Sequence, residues 1–259
     1  MAGAWPTATT WPACTSVTEV APGPAPDLSV VIPAFNESVR LPPTVRAVEA
    51  YLRASNRRGE LIIVDDGSSD GTAEVVDRMI GEGLKLHLLR HDQNRGKGAA
   101  VRTGMLAATG GIVLFTDADL STPIVDVEPL IAALAAGADV AIGSRAMDRS
   151  LVEVHQPWIR DRMGRIFNLF VQAILLPGLK DTQCGFKAFR RDAARDLFTA
   201  TLADGFEFDT EVLYRARRSG LAIREIPVHW RNSPDTRVNA LVDSPRMLLA
   251  LFRIRRIVR

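Results

Sequence analysis

The sequence is 259 residues long, with 47% hydrophobic and 24% charged residues and with 32 basic against 30 acidic side chains. This composition is ordinary for a globular protein, so it excludes a collagen-like, coiled-coil or wholly disordered chain. The near balance of charge predicts no nucleic-acid partner. Two cysteines, Cys14 and Cys184, cannot form a disulfide framework or a four-cysteine zinc site.

The two ends of the chain differ in composition from its middle. Residues 1–27 are rich in Ala, Pro and Thr and lack apolar periodicity, which predicts a flexible tail without a secretory signal. One folded domain is expected over 28–240, and 241–259 is predicted to form a basic amphipathic helix. No stretch reaches the roughly 18 to 20 apolar residues that cross a bilayer, so no transmembrane span is expected.

Short apolar runs alternate with helical patterns through the first half of the domain. Strands are predicted at Leu28–Pro33, Leu61–Val64, Lys85–Leu89, Ile112–Thr116 and Val140–Ile142. Helices are predicted at Val39–Ser55, Thr72–Gly81, Gly96–Thr109 and Ile124–Ala136. The alternation predicts an α/β fold whose mainly parallel sheet is covered by helices on both faces. Ligands bind beyond the carboxyl ends of such strands, so the polar residues that follow them are candidates for one site.

Carboxylates follow three of these strands. Asp117 and Asp119 stand one residue apart after an apolar strand, where both can reach a hard divalent cation that in turn holds a diphosphate. Asp65 and Asp66 follow the second strand, and Glu37 follows the first. Their oxygens can accept hydrogen bonds from a nucleotide base or a ribose hydroxyl. Together these residues predict a nucleotide and metal site.

The third strand is followed by a glycine-rich segment that opens a helix, Asn94-Arg95-Gly96-Lys97-Gly98. Glycines, a lysine and a helix N-terminus favour an anion such as phosphate. The segment lacks the spacing GxxxxGK[ST], which excludes an ATPase of the P-loop type.

Two segments in the second half of the chain are amphipathic. In Arg160–Leu176 an apolar stripe opposes a polar side, which predicts a helix that either covers the core or lies in a membrane interface. In the last fifteen residues Met247, Leu251, Ile254 and Val258 are spaced i, i+4, i+7 and i+11. Arginines project mainly from the other side, which predicts binding to anionic lipid headgroups. The alternatives are a solvated helix and one packed on a partner chain, including a second copy of this chain.

Taken together, four segments carry a resemblance to a known family. They are VVIPAFNE, IIVDDGSSDGT, NRGKGAAVRTG and FTDADLSTP, and the set resembles family-2 glycosyltransferases of the GT-A fold over about residues 28–235. The downstream segments Gly143–Arg145, Asp181–Lys187 and Gly205–Glu211 are similar to the polyprenyl- and dolichyl-phosphate sugar synthases. The form DTQCGFK resembles the dolichyl-phosphate β-glucosyltransferases more than the mannosyl branch.

The resemblance implies roles for individual residues. The nucleotide sugar would be bound by Pro33, Ala34, Phe35, Glu37, Asp65, Asp66, Lys97, Asp117 and Ala118. Mg²⁺ or Mn²⁺ would be held by Asp119, with help from Asp117. The position two residues further on, where some relatives have a Gln ligand, is Ser121 here. The residues implied in catalysis are Asp119, the two cations Arg145 and Lys187, which would lie near phosphate, and the acids Asp209 and Glu211. The two acids would either face the acceptor or stabilise the dipole of the helix that they open. The segment His229–Arg237 resembles the family's loop that closes over the donor.

The reaction implied is inverting transfer of a hexose, with glucose favoured, from UDP-glucose or GDP-mannose to a polyprenyl phosphate. The enzyme would act peripherally at the cytoplasmic face of a membrane, with its amphipathic helices on the bilayer surface or in a homodimer. The alternatives are a polyprenyl-phosphate mannose synthase and a soluble glycosyltransferase with a hydroxyl acceptor, whose base would be Asp209 or Glu211. A nucleotidyltransferase is disfavoured because PAFNE is not a basic glycine-rich loop. The four aspartates that follow the strands disfavour a non-catalytic membrane scaffold.

Overall fold

The computed structural model describes residues 25–154, 158–232 and 240–258. Within these ranges it does not describe the side chains of residues 159, 160 and 240–247. Residues 1–24 of the predicted tail, the end of the segment His229–Arg237 and the side chain of Met247 therefore lie outside the described residues.

A seven-stranded sheet forms the centre of the fold, in the order β3-β2-β1-β4-β7-β5-β8. All its strands are parallel except β7, which runs antiparallel to both β4 and β5. The strands are β1 Leu28–Ala34, β2 Gly59–Asp65, β3 His87–Arg90, β4 Ile112–Thr116, β5 Val140–Ser144, β7 Phe186–Arg190 and β8 Ile223–Pro227. A separate parallel pair is formed by β6 Val152–Val154 and β9 Trp230–Arg231.

Helices cover the sheet on both faces. They are α1 Leu41–Ala54, α2 Thr72–Gly81, α3 Lys97–Ala107, α4 Val127–Ala135, α5 Trp158–Ile174, α6 Arg191–Ala200, α7 Phe208–Arg218 and α8 Ala240–Ile257. One hydrophobic core joins the sheet to α1, α2 and α4, and the other joins it to α3 and α5 through α8. The predicted mainly parallel α/β architecture is confirmed.

The sequence predicted the first half of the fold more completely than the second. All five predicted strands and four predicted helices are present. One predicted helix begins as a single 3₁₀ turn, Ile124–Asp126, before α4. The antiparallel strand β7 was not predicted. It contains the charged Lys187 and has no turn-linked partner beside it in the sequence, so neither hydrophobic alternation nor a hairpin signal marks it.

The C-terminal helix differs from its prediction. The described residues of the stripe predicted to meet lipid face the protein instead, because Leu251, Ile254 and Val258 are buried in the hydrophobic core and α8 packs against α5. The residues of α8 that are exposed include Leu249 and Phe252. No described helix combines the length and apolar character needed to cross a bilayer.

The predicted stripe of Arg160–Leu176 is divided between two surroundings. Phe167 and Val171 of α5 belong to the core, whereas Ile166 and Phe170 are exposed. This helix therefore covers the core with one side and presents apolar side chains to the outside with another.

Candidate active site

The carboxyl ends of β1, β2, β4 and β5 meet along one edge of the sheet. In register, Ala34 pairs with Asp65, and Thr116 at the end of β4 pairs with Phe186 at the start of β7. Because β7 runs in the opposite direction, the residues that precede it reach the same edge as the residues that follow its neighbours. The edge therefore brings together the segments that follow β1, β4 and β5, which begin at Phe35, Asp117 and Arg145, and the segment from Gln183 that leads into β7.

The loops after β1 and β2 are tied together by side-chain hydrogen bonds. The amide of Asn36 donates to Ser68 Oγ at 2.9 Å, and that of Glu37 donates to Thr72 Oγ1 at 2.8 Å. Asp70 accepts from the amide of Ser38 at 3.1 Å. These contacts explain the run of short polar residues after β2, because each one holds a backbone amide of the segment Asn36–Ser38 in place.

The residues of PAFNE contribute to the edge in different ways. Pro33 and Ala34 are buried within β1, whereas the Phe35 ring is 37% exposed and can contact a ligand. Glu37 is largely buried and forms an ion pair with Arg40, with Nε and Oε2 2.7 Å apart. Ligand contact by these residues stays a prediction, for which Phe35 offers the most accessible surface.

Asp65 and Asp66 are both buried, but they have different neighbours. Asp65 Oδ1 accepts from the Ser68 amide at 3.2 Å. The carboxylate of Asp66 accepts from the amides of Arg95 and Gly96 at 3.0 and 2.8 Å and lies 2.6 Å from His91 Nδ1. Asp66 therefore fixes the loop that leads into α3, and its predicted contact with the nucleotide would be additional to this structural role.

The start of α3 does not form the phosphate cradle that its glycines suggested. The amides of Gly98 and Ala99 both donate to the backbone carbonyl of Asp204, at 2.7 and 3.2 Å. A Cβ at Gly96 would lie 2.4 Å from the same oxygen, so the glycine allows this close approach. The amides at the helix N-terminus are thus occupied by a protein carbonyl. The part of this segment that reaches the acidic turn is the side chain of Lys97.

Asp117 and Asp119 lie in a tight turn after β4. The amide of Leu120 donates to Asp117 O at 3.1 Å. Leu120 adopts a φ of +46°, a left-handed backbone conformation that is strained for any residue with a bulky side chain. The amide of Ser121 donates to Asp119 Oδ1 at 3.1 Å, and Thr44 Oγ1 donates to Ala118 O at 2.7 Å. Both carboxylates are thereby presented at the mouth of the sheet.

Asp117 has an unusual environment for a carboxylate. Its Oδ1 is buried and accepts no well-aligned hydrogen bond from any described residue, although Lys97 Nζ lies 2.6 Å away. Burial alone would lower the pKa of Lys97, but the charges of Asp117, Asp209 and Asp119 outweigh it and raise this pKa. The ammonium is therefore charged and faces the acidic turn.

The residues present fit a divalent cation that is bound together with a phosphate ligand. The described chain holds no cluster of three or more His, Cys, Asp or Glu side chains suited to a metal. Asp117 and Asp119 supply hard oxygen donors, and the buried Asp117 Oδ1 contacts the Lys97 ammonium without a well-aligned hydrogen bond from any described residue. Magnesium is commonly held by one or two carboxylates, with substrate phosphates and water completing its shell.

A second group of charges lies beneath this turn. Lys187 on β7 is 1% exposed, and its Nζ donates to Asp209 Oδ1 and to Cys184 O, both at 2.5 Å. Burial raises the pKa of Asp209 despite the neighbouring ammonium groups. The predicted role of Lys187 in phosphate binding stays a prediction, and in this structure its ammonium is used inside the protein.

Arg145, at the end of β5, is held by Asp181. Its Nε and Nη2 donate to the two carboxylate oxygens of Asp181 at 2.7 and 2.8 Å, and its guanidinium lies 5.4 Å from the centre of the Trp230 ring. Burial opposes the charge of Asp181, but Arg145 outweighs it and holds the pKa of Asp181 below its usual value. The Arg145 side chain is still 28% exposed, so it keeps surface for an anionic ligand.

Glu211 is held by partners that do not belong to the acidic turn. Its carboxylate accepts from the amides of Leu202 and Ala203 and pairs with Arg215, and the residue is 1% exposed. These contacts make it a structural acceptor in the described chain. Cys184 is also buried, and this burial raises the pKa of its thiol to about 12, which makes it a poor nucleophile.

Sequence reasoning missed three contributors to the edge. Asp181 orients Arg145, Thr44 holds the acidic turn, and Gly185 lies against the Asp117 carboxylate, where a Cβ would come within 2.1 Å of Oδ2. Only the segment DTQCGFK as a whole pointed to two of them. The segment that begins at His229 does reach the site, because the Arg231 amide donates to Ser121 O at 2.9 Å.

Comparison with known proteins supplies independent findings. The family model described as glycosyl transferase family 2 matches residues 29–198. A dolichyl-phosphate beta-glucosyltransferase of Dictyostelium discoideum is 35% identical, over 88% of this chain and 73% of its own length. Enzymes of the same name from Saccharomyces cerevisiae and Drosophila melanogaster are 36% and 38% identical, over 88% and 89% of this chain and 74% and 75% of their own lengths.

A solved structure shows the same fold. Glucosyl-3-phosphoglycerate synthase from Mycobacterium tuberculosis, in complex with Mn²⁺, UDP and glucosyl-3-phosphoglycerate, superposes with a TM-score of 0.65 at 21% identity. The match covers 90% of this chain and 81% of that one. The likeness confirms the predicted GT-A type of α/β fold.

Proposed function

The chain belongs to glycosyl transferase family 2, and from this premise we propose that it transfers glucose from UDP-glucose to a polyprenyl phosphate with inversion at the anomeric carbon. The choice of glucose and of a polyprenyl phosphate is supported by relatives at 34–38% identity that are named dolichyl-phosphate beta-glucosyltransferases. GDP-mannose is the alternative donor, and it has no such support among these relatives.

The burial and the internal partners of the two acceptor-side acids favour a phosphate as the acceptor. A sugar hydroxyl must lose a proton during transfer, so it needs a base within reach. Asp209 is buried and bound to Lys187, and Glu211 is buried and bound to Arg215 and to two amides. A phosphate monoester is already an anion at neutral pH and requires no such base, so it suits this site better than a hydroxyl.

In the proposed reaction an acceptor phosphate oxygen attacks the anomeric carbon from the face opposite the leaving group. The new bond joins that oxygen to the carbon, and the bond to the nucleoside diphosphate breaks with its electron pair. The protein contributes positioning and fixed charge. Arg145, oriented by Asp181, offers a cation to phosphate, and Phe35 and Asp65 line the side where β1 and β2 end.

Asp119 and Asp117 would hold the divalent ion. When bound, Mg²⁺ or Mn²⁺ offsets the negative charge of a diphosphate. Ser121 contributes through its amide, which donates to Asp119 Oδ1 and holds that carboxylate in place. Metal use by this chain is a proposal that rests on these two carboxylates, and it is supported by the Mn²⁺ and Mg²⁺ complexes of the mycobacterial synthase.

Replacement of Gly185 by Ala is expected to lower the rate of transfer by about ten- to a hundredfold, the scale associated with an ångström of misplacement. The new Cβ would lie 2.1 Å from Asp117 Oδ2 and 2.4 Å from its Cγ, so the carboxylate would have to move. Initial rates at saturating substrate measure the effect. Gly81→Ala is the matched control, because a Cβ there meets nothing within 4 Å. Wild-type rates for Gly185→Ala would contradict this role.

The lipid part of the acceptor lies in a membrane, so the enzyme needs a surface that can contact the bilayer. Helices α5 and α8 offer such a surface. The two helices pack together, and their outer sides carry exposed apolar residues, namely Trp158, Ile166, Leu169, Phe170, Leu249 and Phe252. Exposed arginines accompany them, among them Arg162 and Arg165 on α5 and Arg253 on α8. Apolar side chains bordered by cations suit an anionic lipid surface. We call these six residues the α5–α8 apolar surface.

The double variant Leu169→Glu, Phe170→Glu is expected to weaken binding to vesicles of anionic phospholipid by at least about tenfold, since each apolar side chain loses its contact with the lipid. Both residues are exposed, at 63% and 44%, so the fold should be retained. Vesicle flotation measures the effect, with Leu202→Glu, equally exposed on another surface, as control. Unchanged vesicle binding accompanied by dissociation of a dimer would assign the surface to a second copy of the chain.

The choice of acceptor is tested by offering the same lipid with and without its phosphate. Purified protein is incubated with labelled UDP-glucose, Mg²⁺ and either a short polyprenyl phosphate or the corresponding polyprenol. Glucosylation of the phosphate alone is the expected result. Glucosylation of the alcohol would show that a base operates in the site and would contradict the proposal.

A further inference from the structure

The Lys97 ammonium contacts one of the two carboxylates that are proposed to hold the metal. Its Nζ is 2.6 Å from Asp117 Oδ1, and this oxygen is buried without a well-aligned hydrogen bond from any described residue. A divalent ion and an ammonium cannot both contact one carboxylate oxygen closely without strong repulsion between them. The contact therefore sets the two cations in competition.

Asp117 has little freedom to avoid this competition. Its carboxylate lies close to Gly185, where a Cβ would be within 2.6 Å of Oδ1, Oδ2 and Cγ. The peptide that follows is fixed by the hydrogen bond from Leu120 N to Asp117 O. The carboxylate is therefore held in place, and the adjustment has to come from the lysine.

The backbone of Lys97 is also held, but its side chain can move. The preceding amide, of Gly96, donates to Asp66, and the following amide, of Gly98, donates to Asp204 O. The Lys97 side chain is partly exposed, and its Nζ already lies 5.9 Å from the centre of the Phe206 ring. A flexible lysine can thus leave Asp117 while α3 stays in place, and the ring face offers its ammonium a second contact.

We propose that the Lys97 ammonium competes with a free divalent ion for Asp117 and is displaced when the ion binds together with a nucleoside diphosphate. A bare ion has to displace the ammonium from the carboxylate, which weakens its binding. A diphosphate supplies new anionic oxygens for the displaced ammonium, so it removes this penalty. Metal and nucleotide binding are then coupled, and each raises the affinity for the other by the same factor. The inference rests on the proposed nucleotide-sugar donor.

The test measures Mn²⁺ affinity by the electron paramagnetic resonance signal of free Mn²⁺, without nucleotide and with saturating UDP. Without UDP, Lys97→Met is expected to bind Mn²⁺ about tenfold more tightly than the wild type, within the usual range of such coupling. UDP should then increase its affinity much less than it increases that of the wild type. Lys97→Arg, which keeps the charge, should resemble the wild type, as should the exposed control Lys85→Met.

The outcomes separate this inference from the proposed function. One outcome is that the wild type binds Mn²⁺ with UDP, but Lys97→Met gains no Mn²⁺ affinity without UDP. Lys97 then does not compete with the ion, so the inference is overturned while the proposed function stands. If the wild type binds no Mn²⁺ even with UDP, the proposed metal-dependent function fails and the inference fails with it. Circular dichroism of each variant shows that the fold is kept.

Discussion

Replacement of Asp119 by Asn is expected to lower the kcat of glucosyl transfer by at least about a hundredfold with little change in stability. The side chain is only half-buried, and its hydrogen bond in the described chain comes from the Ser121 amide, which an Asn oxygen can also accept. What the variant loses is a negative charge at the predicted metal position. Losing charge stabilisation of a leaving diphosphate costs this order of rate.

The comparison with the acceptor-side acids makes this prediction specific. Asp209→Asn and Glu211→Gln remove charges that are bound inside the protein, so they should reduce kcat much less per folded molecule than Asp119→Asn does. Steady-state rates with saturating donor and acceptor, corrected for the folded fraction, measure the three effects. Equal losses of kcat would argue that an acid acts as a base and that the acceptor is a hydroxyl.

Replacement of Lys187 by Met is expected to reduce the free energy of unfolding by about 3–5 kcal/mol, the usual cost of removing one partner of a buried ion pair. Lys187 is 1% and Asp209 is 5% exposed, and Nζ also satisfies the Cys184 carbonyl. The variant leaves a buried carboxylate that has lost its bound cation. Urea unfolding followed by circular dichroism measures the change.

A second substitution shows that the pair is the cause. The double variant Lys187→Met, Asp209→Asn removes the stranded charge and should recover a substantial part of the lost stability. Lys180→Met, at an exposed lysine seven residues earlier, should have the stability of the wild type within about 0.5 kcal/mol. A Lys187→Met protein as stable as the wild type would mean that the buried pair contributes nothing.

The parts of the fold that the sequence predicted are those in which local pattern and position agree. Apolar runs alternating with helices predicted β1 through β5, and the acidic residues after β2 and β4 were correctly placed at strand ends. Strand β7 could not be predicted in this way, because its place between β4 and β5 is set by tertiary contacts. The local sequence also does not reveal which surface an apolar stripe meets, so Leu251 and Ile254 were assigned to lipid although they are buried in the core.

The partners of charged residues were likewise beyond the sequence. Lys97 and Asp117 are twenty residues apart, and Lys187 and Asp209 are twenty-two apart, yet each pair is in contact. The motifs marked all four as functional residues of one site, but only the structure shows that two cations are paired with two acids. The resemblance to a family supplied candidate roles, and the contacts show which of these side chains already have internal partners.

The most direct test of the account is a transfer assay with two donors in parallel. Purified protein is incubated with Mg²⁺ or Mn²⁺, a short polyprenyl phosphate and either radiolabelled UDP-glucose or radiolabelled GDP-mannose, and label in the organic phase is counted. We expect metal-dependent label in the lipid from UDP-glucose and none above background from GDP-mannose. Label from GDP-mannose alone, or transfer of glucose only to a water-soluble acceptor, would contradict it.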